Sequence, residues 1–163
     1  MCFNMVNVNV NGSMFVARYF LGKFKERFEK HGKKSAIINV ASVCAFKPSA
    51  MITVYSATKA FNENLSKGMA KEYSQYGVDV MTVLPNSVRT SMNSGMYFGT
   101  ITAEQHGKAV IDQLGWESWT LGHWIHGLNN NLGDFWPSAY IIGRINLRRK
   151  LEFMRLREED IKK

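Results

Sequence analysis

The stretch from Asn39 to Phe61, NVASVCAFKPSAMITVYSATKAF, constrains this chain more than any other. An apolar run ends in it, a loop carrying Pro48 follows, and a helix opens near Tyr55. Ser42 precedes Tyr55 by thirteen residues, and Lys59 follows it by four. Positions i and i+4 stack on one face of a helix, so the Tyr55 phenol and the Lys59 ammonium are expected side by side. A phenol with its ordinary pKa of about 10 exchanges protons poorly at neutral pH. A neighbouring ammonium favours the phenolate. Ser42, delivered from the strand end, would hold a substrate oxygen beside the phenol. These groups together suit proton transfer in the interconversion of an alcohol and a ketone. Tyr-x-x-x-Lys alone is common on exposed helix faces. The weight comes from the apolar strand before it and the serine at that strand's end.

The rest of the chain alternates helix and strand. Met5 to Lys30 reads as a helix with apolar Met14, Phe15, Ala17, Phe20, Leu21 and Phe24. VNVNG reads as the turn that opens it, and Gly32 as its stop. Ser35 to Ser42 is a continuous apolar run that fits a parallel strand buried on both faces. Val43 to Thr53 is a loop, and Tyr55 to Tyr76 is the longest helix, with Ala60, Phe61, Leu65, Met69, Ala70 and Tyr73 at helical spacing and Gly77 ending it. Val78 to Leu84 is a second buried strand, closed by Pro85. Asn86 to Thr102 is a long polar loop, read as a substrate lid. Ala103 to Leu114 is a short helix, Leu121 to Gly127 a third strand, and a last helix begins near Pro137. The pattern predicts an α/β fold: half of a doubly wound parallel sheet, about three strands alternating with helices. Ligands in such sheets sit at the carboxyl ends of the strands, where Ser42, Pro85 and the residues after Gly127 are expected.

Ser42 and the run Tyr55-Ser56-Ala57-Thr58-Lys59-Ala60 resemble the active-site serine and the YSA[ST]KA signature of the short-chain dehydrogenase/reductases. The chain is most similar to their microsomal group of 17-beta-hydroxysteroid dehydrogenases and very-long-chain 3-oxoacyl-CoA reductases. The resemblance runs from about Val8 to the last helix and matches the second half of such an enzyme. It implies that Tyr55 is the catalytic acid, that Lys59 lowers its pKa and binds the nicotinamide ribose, and that Ser42 hydrogen-bonds the substrate carbonyl. The family's fourth catalytic residue, an asparagine in a VNxxG-like turn, corresponds to Asn9. Asn7 and Asn11 compete for that place, and each is also a reasonable helix cap. Pro85, Val88 and Thr90 match cofactor-binding positions after the second strand. The glycine of the family's Pro-Gly turn is replaced by Asn86, which tolerates similar backbone geometry. The implied cofactor is NADP(H) or NAD(H), with no metal, and the implied substrate is lipid-like, a 3-oxoacyl-CoA or a steroid. Trp119, Trp124, Phe135, Trp136 and Tyr140 would line a lipid pocket or serve as core. The helices holding Phe15 and Leu65 resemble the family's dimer interface, so a homodimer or hetero-oligomer is expected through them. The group's usual place is the endoplasmic reticulum membrane.

Composition narrows the field further. The 163 residues are 45% hydrophobic, enough for a packed domain. The net charge of +8 comes from two clusters, Lys23 to Lys34 and Arg144 to Lys163, both interleaved with acidic residues. They read as solvated helix faces, the second one suited to peripheral membrane contact, and nucleic acid is not expected. No apolar window is long enough to span a bilayer, and no signal peptide is visible. Cys2 and Cys44 lack metal-ligand spacing, and His123 and His126 on a strand would point to opposite faces.

The sequence contains no glycine-rich phosphate-binding turn of the GxxxGxG or GxGxxG kind. Such a turn lets a dinucleotide pyrophosphate approach the backbone. Residues 1–163 are therefore expected to form a single partial domain, the catalytic half of a reductase without its dinucleotide-binding half. As such it is expected to be marginally stable and to lack independent activity. The alternative expectation is a non-catalytic interaction subunit derived from such an enzyme.

Overall fold

In the computed structural model the described residues are 2–91, 93 and 99–135. Helix α1 (Cys2–Val6) runs on through a π-helical turn (Asn7–Gly12) into α2 (Ser13–His31). The turn expected to open the helix is thus absorbed within it. Val6 and Gly12 both keep right-handed helical dihedrals, and no side chain caps either position. The physical reason lies in the asparagines: the Asn11 side-chain amide donates to Asn7 Oδ1 at 2.9 Å, an i,i+4 pair along the helix. At the other end Gly32 takes a left-handed conformation, φ 63°, and its N–H donates to the Phe28 carbonyl at 2.8 Å.

Strand β1 (Ser35–Val40) follows, then a short 3-10 turn (Val43–Ala45), then α3 (Thr53–Tyr73). A 3-10 turn (Ser74–Tyr76) and Gly77 at φ 62° lead into β2 (Val78–Val83). Glycine is required at 77, because a Cβ there would stand 2.5 Å from the Phe28 ring. The β2–α4 connection holds two short strands, β3 (Val88–Arg89) and β4 (Ile101–Thr102), paired in parallel. Residues 92 and 94–98 of the expected lid lie outside the described residues. Helix α4 (Ala103–Ile111) opens with a capping box, Thr102 accepting from the Gln105 N–H and Gln105 from the Thr102 N–H. The third strand of the main sheet is β5 (Trp119–Thr120), and α5 (Trp124–Phe135) follows.

The main sheet is parallel in the order β1-β2-β5, with Ser35 opposite Val78, Val40 opposite Val83 and Val83 opposite Thr120. Alternate residues of β2 feed two cores. Val78 and Val80 pack with Ala17, Leu21 and Met69 from α2 and α3, whereas Met81 and Val83 pack with Val110 of α4. Strands alternating with helices on both faces make the α/β architecture that the sequence predicts.

Two expectations need correction. The run Leu121 to Gly127 is not a strand: Gly122 turns the chain at φ 79°, and Trp124 onward is helical. Accordingly the third strand's carboxyl end lies at Thr120, not after Gly127. Strand β1 is not buried on both faces either. Ala36 and Val40 are exposed, because β1 is the outer strand among the described residues. The expected last helix near Pro137 and the basic tail lie outside the described residues.

Candidate active site

Tyr55 and Lys59 sit in the first two turns of α3, against the carboxyl end of β1. The Lys59 Nζ lies 5.7 Å from the Tyr55 ring centroid, within cation–π range. The same ammonium donates to the Val40 carbonyl at 2.9 Å. Lys59 is thereby anchored to the last residue of β1, and burial pushes its pKa below the usual lysine range. A proton is easier to remove from such an amine than from a solvated one.

Ser42 lies just beyond β1 and is buried. Its backbone is extended, and its Oγ accepts the Cys44 N–H at 3.3 Å, which caps the Val43–Ala45 turn. That contact uses an acceptor site of the hydroxyl and leaves its proton free to be donated.

Asn9 is the asparagine of the three that crosses to α3. Its Nδ2 donates to Thr58 Oγ1 at 3.0 Å, and Thr58 in turn donates to the Tyr55 carbonyl at 2.8 Å. The π-helical turn is what aims it. One extra residue in the turn rotates the following side chains relative to a regular helix. Asn7 is occupied with Asn11.

The β2 end is joined to this site through the backbone: the Val43 N–H donates to the Pro85 carbonyl at 3.1 Å. Beyond Pro85, Val88 is held in β3 opposite Ile101. The Thr90 hydroxyl accepts the Asn93 N–H at 3.2 Å, and Asn93 Nδ2 reaches Ser87 Oγ and the Val88 carbonyl, each at 3.2 Å. The structure therefore ties Lys59, beside the Tyr55 ring, to the end of β1, ties Asn9 to the same helix through Thr58, sets Ser42 two residues past Val40, and joins the Pro85 loop to Val43.

Sequence reading assigns no bonding role to Thr58, Asn93 or His126. Thr58 stands three residues after Tyr55 on a helix, and that spacing is the signal that could have found it. His126 was assigned to a strand. It is instead fully buried near the start of α5, with its ring beside His106, centroids 5.4 Å apart. Of the aromatics expected around a lipid, Trp119 packs near Phe46 and Trp124 is largely exposed. The Phe135 side chain, Trp136 and Tyr140 lie outside the description. Among the described residues no three His, Cys, Asp or Glu side chains converge as a metal group, and no helix is long and apolar enough to cross a membrane.

A half-buried amine, a phenol and a strand-end loop around one point suit the nicotinamide and ribose end of a dinucleotide. No glycine-rich turn of this chain is present to receive the pyrophosphate.

Similarity to known proteins agrees with the geometry. The short chain dehydrogenase family profile matches residues 2–97. The chain is 30% identical over 140 residues to the very-long-chain 3-oxoacyl-CoA reductase of Anas platyrhynchos, covering 85% of this chain and 43% of that protein. It is 29% identical over 143 residues to hydroxysteroid dehydrogenase-like protein 1 of Gallus gallus, covering 84% and 42%. Among solved structures, the short-chain dehydrogenase of Sphingobium yanoikuyae in complex with NADPH superposes with a TM-score of 0.57 at 26% identity, covering 66% of this chain and 42% of that one. The chain thus spans less than half the length of these relatives. With the profile matched over residues 2–97, more than half of its length, the chain belongs to the short-chain dehydrogenase family.

Proposed function

We propose that this chain is the proton-transfer half of an NADP(H)-dependent ketone reductase acting on a lipid-like substrate, a 3-oxoacyl-CoA or a 17-ketosteroid. The observation that carries the reading is the fixed placement of Lys59. Its ammonium is tied to the Val40 carbonyl and stands over the Tyr55 ring. In this reading the Tyr55 hydroxyl donates a proton to the carbonyl oxygen, and Lys59 stabilises the phenolate left behind. Ser42 donates its free hydroxyl proton as a hydrogen bond to the same oxygen. Asn9 steadies the first turn of α3 through Thr58. Lys59 and Val88 would hold the nicotinamide end of the cofactor and Thr90 would lie near its pyrophosphate; when bound, the cofactor would supply hydride to the carbonyl carbon. The NADPH complex of a related structure supports the choice of cofactor. The similarity to the very-long-chain 3-oxoacyl-CoA reductase of Anas platyrhynchos supports the substrate class.

A second reading, an interaction subunit, is favoured by one specific observation. Phe15 and Tyr19 on α2 are each more than 60% exposed, an apolar face suited to a homodimer or hetero-oligomer.

The test is cofactor consumption by the protein purified from its own cells. NADPH should be oxidised in the presence of a long-chain 3-oxoacyl-CoA or a 17-ketosteroid, and not without a ketone. Absence of consumption with every ketone, together with co-purification of a second reductase, would favour the interaction subunit.

A further inference from the structure

His126 is a buried titratable side chain that the proton transfer does not use. Its ring is fully enclosed, and it lies between the Leu121 turn and the first residues after β2. Nε2 stands 3.2 Å from the Ser87 carbonyl, which can only accept, so this contact is a hydrogen bond when Nε2 carries the proton. Nδ1 faces two groups of opposite demand: the Asn86 N–H at 3.4 Å and the Leu121 carbonyl at 3.2 Å. In a neutral ring Nδ1 is an acceptor and takes the Asn86 N–H. In a cation it is a donor and takes the Leu121 carbonyl, leaving Asn86 unbound. Enclosure first, and then the charge of His123, favour the neutral ring and outweigh the Leu121 and Ser87 carbonyls, which favour the cation.

We propose that neutral His126 is a positioning residue, clamping the Pro85–Thr90 loop by accepting from Asn86 and donating to Ser87. The two bonds hold the Pro85–Asn86 and Ser87–Val88 peptide units, one on each side of the Asn86–Ser87 linkage. The loop they fix carries the Pro85 carbonyl, on which Val43 beside Ser42 hangs, and leads into Val88 and Thr90. Ser87 is a junction in its own right, since its carbonyl also accepts the Ile101 N–H at 3.3 Å and its hydroxyl meets that of Thr100 at 2.8 Å. Loosening the clamp would therefore release the loop at its root. The consequence for cofactor affinity rests on the function proposed above; the clamp itself does not.

The experiment has a structural arm and a kinetic arm. Nitrogen-15 spectra of the wild-type chain report the ring tautomer, and amide hydrogen exchange reports the loop. His126 should be neutral and protonated on Nε2. His126→Phe, which keeps a buried aromatic ring but removes both nitrogens, should raise exchange at Asn86 and Ile101 at least tenfold. The amides of α3 should stay unchanged. His126→Gln, which keeps a donor for the Ser87 carbonyl, should recover part of that loss. In the protein from its own cells, His126→Phe should raise KM for NADPH about tenfold with KM for the ketone unchanged. A merely damaged fold would lower kcat instead. A ring protonated on Nδ1, or loop exchange in the wild type as fast as in a free peptide, would overturn the clamp. So would loop exchange indifferent to both variants, and an unchanged KM for NADPH would overturn its positioning role. Should His126→Phe fail to fold, the wild-type tautomer and His126→Gln decide the matter. If the wild type consumes no NADPH, the proposed function falls, and the clamp is judged on tautomer and exchange alone.

Discussion

The two flanks of β2 are built differently. On the β5 side a chain of directional bonds links the polar groups, with His106 Nε2 left out of it. Gln113 of the α4–β5 connection donates to the carbonyls of Ala109 at 2.8 Å and Gly122 at 2.6 Å and accepts the Thr120 hydroxyl proton. The Gly122 N–H returns to Thr120 Oγ1 at 2.9 Å, and His126 closes the corner. On the β1 side the packing is mainly apolar, with single polar ties from Lys59 to the Val40 carbonyl and from Asn39 to Ser66 Oγ. Between α2 and the outer face of β1 runs a groove of about 600 Å³, lined by Val16, Ala17, Phe20 and Ile37 among others. Val40, at the end of β1, is 57% exposed. The contrast teaches where specificity of structure resides. The strand-end loops that carry the site are fixed by directional bonds on the closed flank, whereas the open flank contributes hydrophobic packing that tolerates change.

That contrast can be broken by substitution, and unfolding in urea is the measurement. Gly122→Val should have the largest effect, a loss on the order of 3 kcal/mol. The residue sits at φ 79°, and a Cβ would stand 2.6 Å from His106 Nε2. Gln113→Ala should cost about 2 kcal/mol, because it strands the buried Thr120 hydroxyl and the Gly122 carbonyl. A midpoint unchanged in either variant would refute the description of this flank.

Acid should act on the closed flank as well. Burial depresses the pKa values of both His106 and His126 below the usual 6.5. The unfolded chain then binds more protons than the folded one as pH drops through that value. Stability should fall on acidification from about pH 6.5 and stay level just above it. Fluorescence-monitored unfolding at a series of pH values checks the sign; a rise in stability on acidification would contradict it.

Smaller effects are expected nearer the site and on the open flank. Thr58→Val removes the acceptor for Asn9 and should cost about 1 kcal/mol. Val40→Thr on the outer strand should stay within about 0.5 kcal/mol of the wild type. A loss from Val40→Thr as large as that from Gln113→Ala would abolish the distinction between the flanks.

Much of this was legible in the sequence, for identifiable reasons. The two long parallel strands announced themselves as apolar runs bounded by Gly32, Gly77 and Pro85, each a strong local signal. Tyr55 and Lys59 were readable because i,i+4 spacing fixes their neighbourhood on any helix. What escaped depended on tertiary placement. The buried stripe of α3 includes Ser56, Thr58, Asn62 and Ser66, which periodicity of apolar residues cannot flag. Two of them bond across to other elements: Thr58 Oγ1 accepts from Asn9 at 3.0 Å and Ser66 Oγ from Asn39 at 2.7 Å. The stretch around His123 and His126 misled because short apolar runs do not distinguish strand from helix. The deciding feature there was the left-handed turn at Gly122, packed against His106. Asn9 was found by resemblance, but the π-helical turn that aims it leaves no mark in hydrophobic spacing.

The central claim is that Tyr55, supported by Lys59, delivers the proton to a ketone oxygen. Its most direct test is Tyr55→Phe in the protein from its own cells, with NADPH-linked ketone reduction and NADPH binding measured on the same sample. The account predicts a fall in kcat on the order of 10²–10⁴-fold with cofactor binding retained. Ketone reduction at the wild-type rate by Tyr55→Phe would contradict it.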